Sequence, residues 1–489
     1  MNSLVSRPSQ GDWGGPALVG LLLFVAAGVG LLVVHHAFYG AAVVLGAGIA
    51  LLVAADITAL PLFLVLTMFV ESVSLGSGLR IGRLAAVMAL AVLMYYALSR
   101  GRISLRPNAL LVAAGAYGLW ILFSAYWATD SGLVYRTTFQ YLLAVSYMLT
   151  FAVLVRSSAQ VLAILATFAV GSLVFGIVSF VEYFRHGSQY FQSGLGATGL
   201  QGDHVYFAIY QVISLPAVLA LAATDRRPQR QAVYYAIVGV VVLSVVASLS
   251  RTGLVVLGSV VFATLLAPWR LFFRSARQKL TYTMSLAGAA VVAAIAGSDN
   301  FIKRAETIFN YGGPNGDRGS GRIDLWRAAW RGFTEHPWHG LGAGNFQAKA
   351  LDLLQTTPGV NTAASYVHAG RVVHNGYLEA LTELGVVGFA LFMLVLGLAS
   401  WSYLSTFRRA RALGDRLLER LAISLLVSMA GFAVSMFFAS NELGKPLWIF
   451  VGLAIALEAM VRRAAPAPAR PRPASQRIRA AGSRASPTL

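Results

Sequence analysis

Apolar residues run along this chain in stretches of about 17–25, the length a helix needs to cross hydrocarbon. Such runs fall at 16–34, 39–55, 58–74, 83–99, 109–127, 138–155, 159–183, 204–224, 231–249, 252–268 and 280–297, and after a long polar gap at 377–403, 419–438 and 446–462. The pattern predicts an all-α, polytopic integral membrane protein with about twelve to fourteen transmembrane helices, the shorter early runs allowing re-entrant or half-spans. Residues 1–15 are polar, and the first run has no cleavage site and is followed by more spans, so it reads as a retained helix rather than a signal peptide.

The polar positions between the runs give an orientation. Four loops carry Arg100, Arg102 and Arg106; Arg226, Arg227 and Arg230; Arg270, Arg274, Arg277 and Lys279; and Arg408, Arg409, Arg411, Arg416 and Arg420. Counting spans puts all four on one side, which the distribution of positive charge makes cytoplasmic. Both termini then lie inside, and the segment 297–376 lies outside, in the periplasm of a Gram-negative cell. Arg80 and Arg83 fall on the outer side against this rule. Four regions follow: transmembrane helices over 1–297, a large outer loop over 298–376 with short helices, C-terminal transmembrane helices over 377–462, and a tail over 463–489. The tail is rich in Ala, Pro and Arg without an acidic residue, so it is expected to be disordered and drawn to an anionic inner leaflet. No internal repeat is visible.

Composition supports the membrane class. Of 489 residues 57% are hydrophobic and only 12% charged, with a mean hydropathy of +0.69, against about 25% charged in soluble domains. The net charge of +19 reads as topology rather than as a nucleic-acid footprint. The absence of cysteine excludes disulfides, thiolate catalysis and Cys-ligated metal.

Candidate chemistry collects in the outer loop. Positions 323–333 space Leu325, Ala328, Ala329 and Phe333 as an amphipathic helix expected to lie on the membrane surface, and His336-Pro337 ends it. The turn Gly340-Leu341-Gly342-Ala343-Gly344 is not a phosphate-binding loop, because no Gly-Lys-Ser/Thr follows. Three residues stand out. Arg251, at the outer end of two adjoining runs, is costly at membrane depth unless it works or snorkels. Arg322 opens Gly-Arg-Ile-Asp-Leu-Trp; its plain alternative is a solvated loop arginine. His374, where the chain re-enters the membrane, can take a proton from a hydroxyl or simply cap the helix. Two arginines can hold a diphosphate through forked hydrogen bonds. Asp203 with His204, and His336, His339 and His368, are weaker candidates; His35, His36 and Glu71 read as structural. Glu379 and Glu383, on one helix face, could orient His374 or face water. No His-Glu-x-x-His, Asp-x-Asp or nucleotide-binding motif occurs, which disfavours zinc, a metal-chelated nucleotide sugar and ATP hydrolysis.

In this order the motifs resemble the O-antigen ligase and polymerase superfamily of bacterial membrane glycosyltransferases. The resemblance rests on Ser250-Arg251-Thr252-Gly253, on Gly321-Arg322 with Trp326 and His336-Pro337, on Gly340, Gly342 and Gly344, and on His374-Asn375 with Tyr377-Leu378-Glu379, Glu383, Gly385 and Gly388. It implies a donor glycan on undecaprenyl diphosphate, an acceptor hydroxyl on lipid A–core oligosaccharide, lipopolysaccharide as product, and an inverting, metal-independent reaction without cofactor at the periplasmic face of the inner membrane. His374 would be the general base, with Arg251 and Arg322 on the diphosphate. Trp326, His336, Tyr377, Arg80 and Arg83 are further candidates for substrate contact. A polymerase and a protein oligosaccharyltransferase would use the same donor, and a lipid-linked glycan transporter is the reading from another class.

Overall fold

The computed structural model of the chain describes residues 56–71, 73, 80–100, 108–193, 196–296, 321–362 and 367–464. The runs at 16–34 and 39–55, His35 and His36, and the tail beyond 464 lie outside the described residues, as do 298–320 of the outer loop.

All regular elements among the described residues are helices. Numbered from the first described α-helix, they are α1 (Leu60–Met68), α2 (Ile81–Arg100), α3 (Ala109–Phe123), α4 (Ser131–Leu154), α5 (Ser158–Ser193), α6 (His204–Thr224), α7 (Pro228–Ala247), α8 (Arg251–Leu266), α9 (Ala276–Ala296), α10 (Arg322–Glu335), α11 (Phe346–Thr356), α12 (Gly376–Ala412), α13 (Arg416–Ser435) and α14 (Lys445–Ala464). Seven of them, α3 to α7 with α12 and α13, are long and apolar enough to cross a membrane. This is a multi-pass membrane protein. The run at 58–74 becomes only the nine-residue α1 and a following turn, a half-span of about 14 Å at 1.5 Å per residue.

Helix α6 is the hub. It is buried from Phe207 to Ala223 and packs against α5, α7, α8 and α13, while α4 packs on α14 and α3 on α12. Hydroxyls inside the bundle turn back on their own helices: Ser146, Thr150, Thr167 and Ser214 each donate to a carbonyl three or four residues earlier. That satisfies a polar group where no water can.

The two ends of the bundle differ. At one end Arg274 donates to the carbonyls of Ala223 and Thr224, and Arg420 donates to Ala223 at 3.0 Å. Two of the basic loops thus cap the C-terminus of α6, where cations complement the helix dipole. The opposite end gathers the segments before α2, α4, α6, α8, α12 and α14, with α10 and α11 above them.

Helices α10 and α11 form a small outer subdomain. Leu325, Ala328, Ala329, Leu341, Phe346 and Leu354 are its buried core. The expectation that 323–333 lies on the membrane is corrected here: its apolar stripe is covered by α11 and α12. A 3.6-residue period reports an apolar face but not what covers it, and here protein does. Thr382 of α12 donates to the Ala329 carbonyl at 3.0 Å across this contact.

Helix α12 is broken at Gly385, whose φ of 65° and ψ of −171° are non-helical. The break exposes carbonyls, and the glycine-rich turn takes them. Leu341 donates to Thr382 at 2.9 Å and Gly342 to Glu383 at 2.8 Å; the Trp120 indole donates to Leu384 at 2.9 Å, and Val386 to Pro337 at 2.9 Å. Gly340, Gly342 and Gly344 all have positive φ, from 71° to 94°, so this turn needs residues without a Cβ. The turn is a docking element, consistent with the absence of a phosphate-loop signature.

Candidate functional site

His374 stands between the outer subdomain and the membrane part of α12. Its backbone is left-handed, with φ of 56°, uncommon for a side chain of this size. The turn is held at both sides. The His374 amide donates to the Ser440 hydroxyl at 3.0 Å, Asn375 caps the amides of Tyr377 and Leu378 at 3.1 Å, and the Gly376 amide reaches the Met436 and Ala439 carbonyls. Glu379 lies beside the Ser440 side chain, whose hydroxyl holds the His374 amide. The alternative that Glu379 and Glu383 face water is corrected, since both are buried. Glu383 instead accepts from the Gly344 and Phe346 amides, at 2.6 and 3.2 Å, at the start of α11.

Charges converge on the imidazole. Burial, followed by the Arg322 and Arg371 guanidinium groups, holds the His374 ring down at about 4, with Asp203 pulling the other way. The ring is therefore neutral near pH 7, with a free lone pair. Arg322 also meets the Thr252 hydroxyl at 3.5 Å, which brings the Ser250-Arg251-Thr252 motif to the same place. Arg251 is the first residue of α8, behind the Ser250 cap, whose hydroxyl accepts from Gly253 at 3.0 Å. Asp203 caps α6, accepting from Val205 at 2.7 Å. The N-termini of α6, α8, α10 and α12 thus meet here, and each carries partial positive charge. Gly321, before α10, supplies no side-chain cap.

A second cationic site lies beside the first. Arg80, Arg83, Arg136 and Lys445 line a cavity of about 410 Å³, with Glu71 as the one carboxylate among the described residues that line it. Glu71 pairs with Lys445 and accepts from the Tyr210 hydroxyl at 3.3 Å. One turn earlier on α6, the Tyr206 hydroxyl donates to the Ser440 carbonyl at 3.0 Å. The cavity and the His374 turn are therefore joined through one face of α6 and the Ser440 segment.

The remaining candidates are placed as follows. Trp326 lies one helical turn beyond Arg322. Tyr377 donates to the Ala433 carbonyl at 2.8 Å and lies against Phe437, with ring centroids 4.6 Å apart and planes tilted by 45°. His336 follows the last residue of α10, about 20 Å along the helix from Arg322, and its ring lies 5.6 Å from that of His339; the structure does not bring it to the Arg322 end. His368 is exposed. Sequence reasoning passed over Arg371, Arg136 and Lys445. Arg371 had a signal, standing three residues before His374 in the same short loop. Arg136 and Lys445 had none, since only folding brings them to Arg80 and Arg83. Among the described residues no group of His, Asp and Glu is arranged to hold a metal.

Compared with known families, residues 236–393 match the model described as O-Antigen ligase. The matched segment runs from α7 into α12 and contains Arg251, Arg322, Arg371 and His374. No curated protein matches the chain.

Proposed function

We propose that the chain, whose residues 236–393 match the O-Antigen ligase model, transfers a glycan from undecaprenyl diphosphate to lipid A–core oligosaccharide on the periplasmic face of the inner membrane. The observation that carries this reading is the meeting of four helix N-termini around His374, with Arg322 and Arg371 beside it. Helix N-termini and arginines are where a diphosphate is held. The acceptor hydroxyl gives its proton to the neutral His374 ring as its oxygen attacks the anomeric carbon. The bond from that carbon to the diphosphate oxygen breaks, and undecaprenyl diphosphate leaves with the negative charge. Attack opposite the leaving group inverts the anomeric centre. Arg251, Arg322 and Arg371 meet the charge as it develops, the task a metal ion performs elsewhere. A donor whose tail stays in the bilayer suits a site at the mouth of a helical bundle.

The test is reconstitution. Purified protein is mixed with undecaprenyl-diphosphate glycan and lipid A–core, with EDTA and no nucleotide. A ladder of higher-mass lipopolysaccharide on a gel is the expected result. A folded preparation that gives none overturns the ligase reading and turns the search to a second repeat unit or a protein hydroxyl as acceptor.

Two further outcomes follow. The acid limb of kcat/KM is expected near pH 4 to 5, following the His374 value of about 4, not near the ordinary histidine value of about 6.5. Arg371 holds that value down, so Arg371→Gln should move the limb up, by as much as about one unit. Asp203 pulls it up, so Asp203→Asn should move it down. A pH–rate profile with an unchanged limb in both variants would remove His374 as the titrating base. The cavity at Arg80 and Arg83 is assigned to phosphate groups of the acceptor, because the donor's diphosphate is already met by three arginines. Arg80→Glu with Arg83→Glu should raise the acceptor KM at least about tenfold, given about 1.4 kcal/mol for a lost charged contact, with the donor KM unchanged. The opposite pattern would move the cavity to the donor.

A further inference from the structure

On the outer face of α10 two rows of side chains run away from the His374 cluster. Arg322, Trp326, Trp330 and Thr334 recur every four residues, and Ile323, Arg327 and Arg331 form the row beside them. Residues four apart on a helix lie on one face, so the first row begins at Arg322 and continues for about 18 Å at 1.5 Å per residue. Across from it stand Thr357 and Pro358, and between them lies a groove of about 600 Å³. We infer that this groove is a carbohydrate subsite that holds the sugar units of a glycan chain beyond the reacting one.

The argument rests on chemistry and continuity. Trp330 is 54% exposed and stands one helical turn from Trp326, so the two indoles form one apolar patch. Trp326 is partly exposed while its indole N–H is buried and has no partner among the described residues. What Trp326 offers the groove is therefore carbon. Flat indole faces suit a sugar ring, whose two sides carry C–H groups. The groove walls are also built. Arg327 donates to the Gly359 carbonyl at 3.0 Å and pairs with Asp324 at 3.7 Å, and Arg331 donates to the Thr356 carbonyl and to Glu335 at 2.9 Å. These arginines fasten α10 to the segment 356–359, which fixes the spacing of the shallow groove's two sides.

A lipid headgroup surface is the competing occupant, since Trp and Arg also mark membrane interfaces. Such a surface uses its arginines outward, toward phosphates. Here they are turned to carbonyls and carboxylates of the protein. Continuity with Arg322 also favours a substrate already anchored there.

The inference rests on the glycosyltransferase reading, and its test separates the two. The probe is the polysaccharide released by mild acid from the source bacterium's own lipopolysaccharide, free of lipid and diphosphate. It is titrated into the full-length protein in detergent and followed by saturation-transfer NMR. The native protein should bind it, Trp330→Ala should weaken binding about tenfold, and Trp330→Phe should restore most of it. Absence of binding to the native protein, or equal binding by Trp330→Ala, overturns the subsite. Quenching of Trp330 by brominated phospholipid in nanodiscs, taken as the difference between native and Trp330→Phe, would make the groove a lipid face and also overturn it. The lipopolysaccharide ladder from the same preparation reports on the ligase reading alone, so either can fail while the other stands.

Discussion

Alanine at position 374 is expected to abolish the lipopolysaccharide ladder, with a rate loss of about 10²–10⁴-fold, the usual cost of removing a general base. Arg322 and Arg371 would still hold the diphosphate, so donor affinity should change little; the loss belongs in kcat. The position is left-handed, at φ 56°, and asparagine tolerates that region better than most residues. His374→Asn is therefore the variant that separates chemistry from folding, because it keeps the turn and lacks the imidazole. A single-turnover gel assay at saturating donor is the measurement. A rate within a few-fold of native in both variants would leave the arginines as the site and remove the base.

The second large effect is structural. Gly385 takes a backbone region essentially closed to other residues, and a Cβ there would fall on the Trp338 carbonyl and the His339 amide. Gly385→Ala should cost about 3–5 kcal/mol, from strained backbone together with displaced hydrogen bonds. The site would suffer without any change in its own side chains, since the half of α12 that carries Glu379 and Glu383 would lose its registration with the glycine-rich turn. Gly397, farther along the same helix, is the control: a Cβ there meets nothing within 4 Å, so Gly397→Ala should be neutral or slightly stabilising. Thermal unfolding followed by fluorescence-detected size exclusion compares the pair. Equal melting temperatures would show that the break is not required.

Much of this was legible in the chain. The runs from 83 onward correspond to helices because a membrane leaves few alternatives, as every backbone group must be paired within its own segment. The candidate site was legible where residues carried chemistry unusual for their surroundings, Arg251 at a span end, Arg322 in the outer loop and His374 at re-entry; what they do there is the proposal. Illegible were the parts that depend on which ends meet. Glu71 reads as a lone acid at a span end, yet it forms the floor of a cationic cavity with Lys445, more than 370 positions away. Helix α10 reads as a surface helix because its stripe looks the same under lipid or under Leu353 and Leu354. The break in α12 hides inside a continuous apolar run, and only Gly385 hints at it.

Part of the joint between the glycine-rich turn and the broken α12 is made of main-chain atoms alone, Leu341 to Thr382, Gly342 to Glu383 and Val386 to Pro337, beside the Glu383 carboxylate on the Gly344 and Phe346 amides. That main-chain part is addressed by backbone shape rather than by side-chain identity. Drift at exposed positions of the outer subdomain can then proceed without loosening the seat, provided the alternation of glycines and Glu383 are kept. Outer subdomains shaped for different sugars could be exchanged on one membrane scaffold as tools are on one handle, each arriving with the Arg322 end of its helix already aligned to His374.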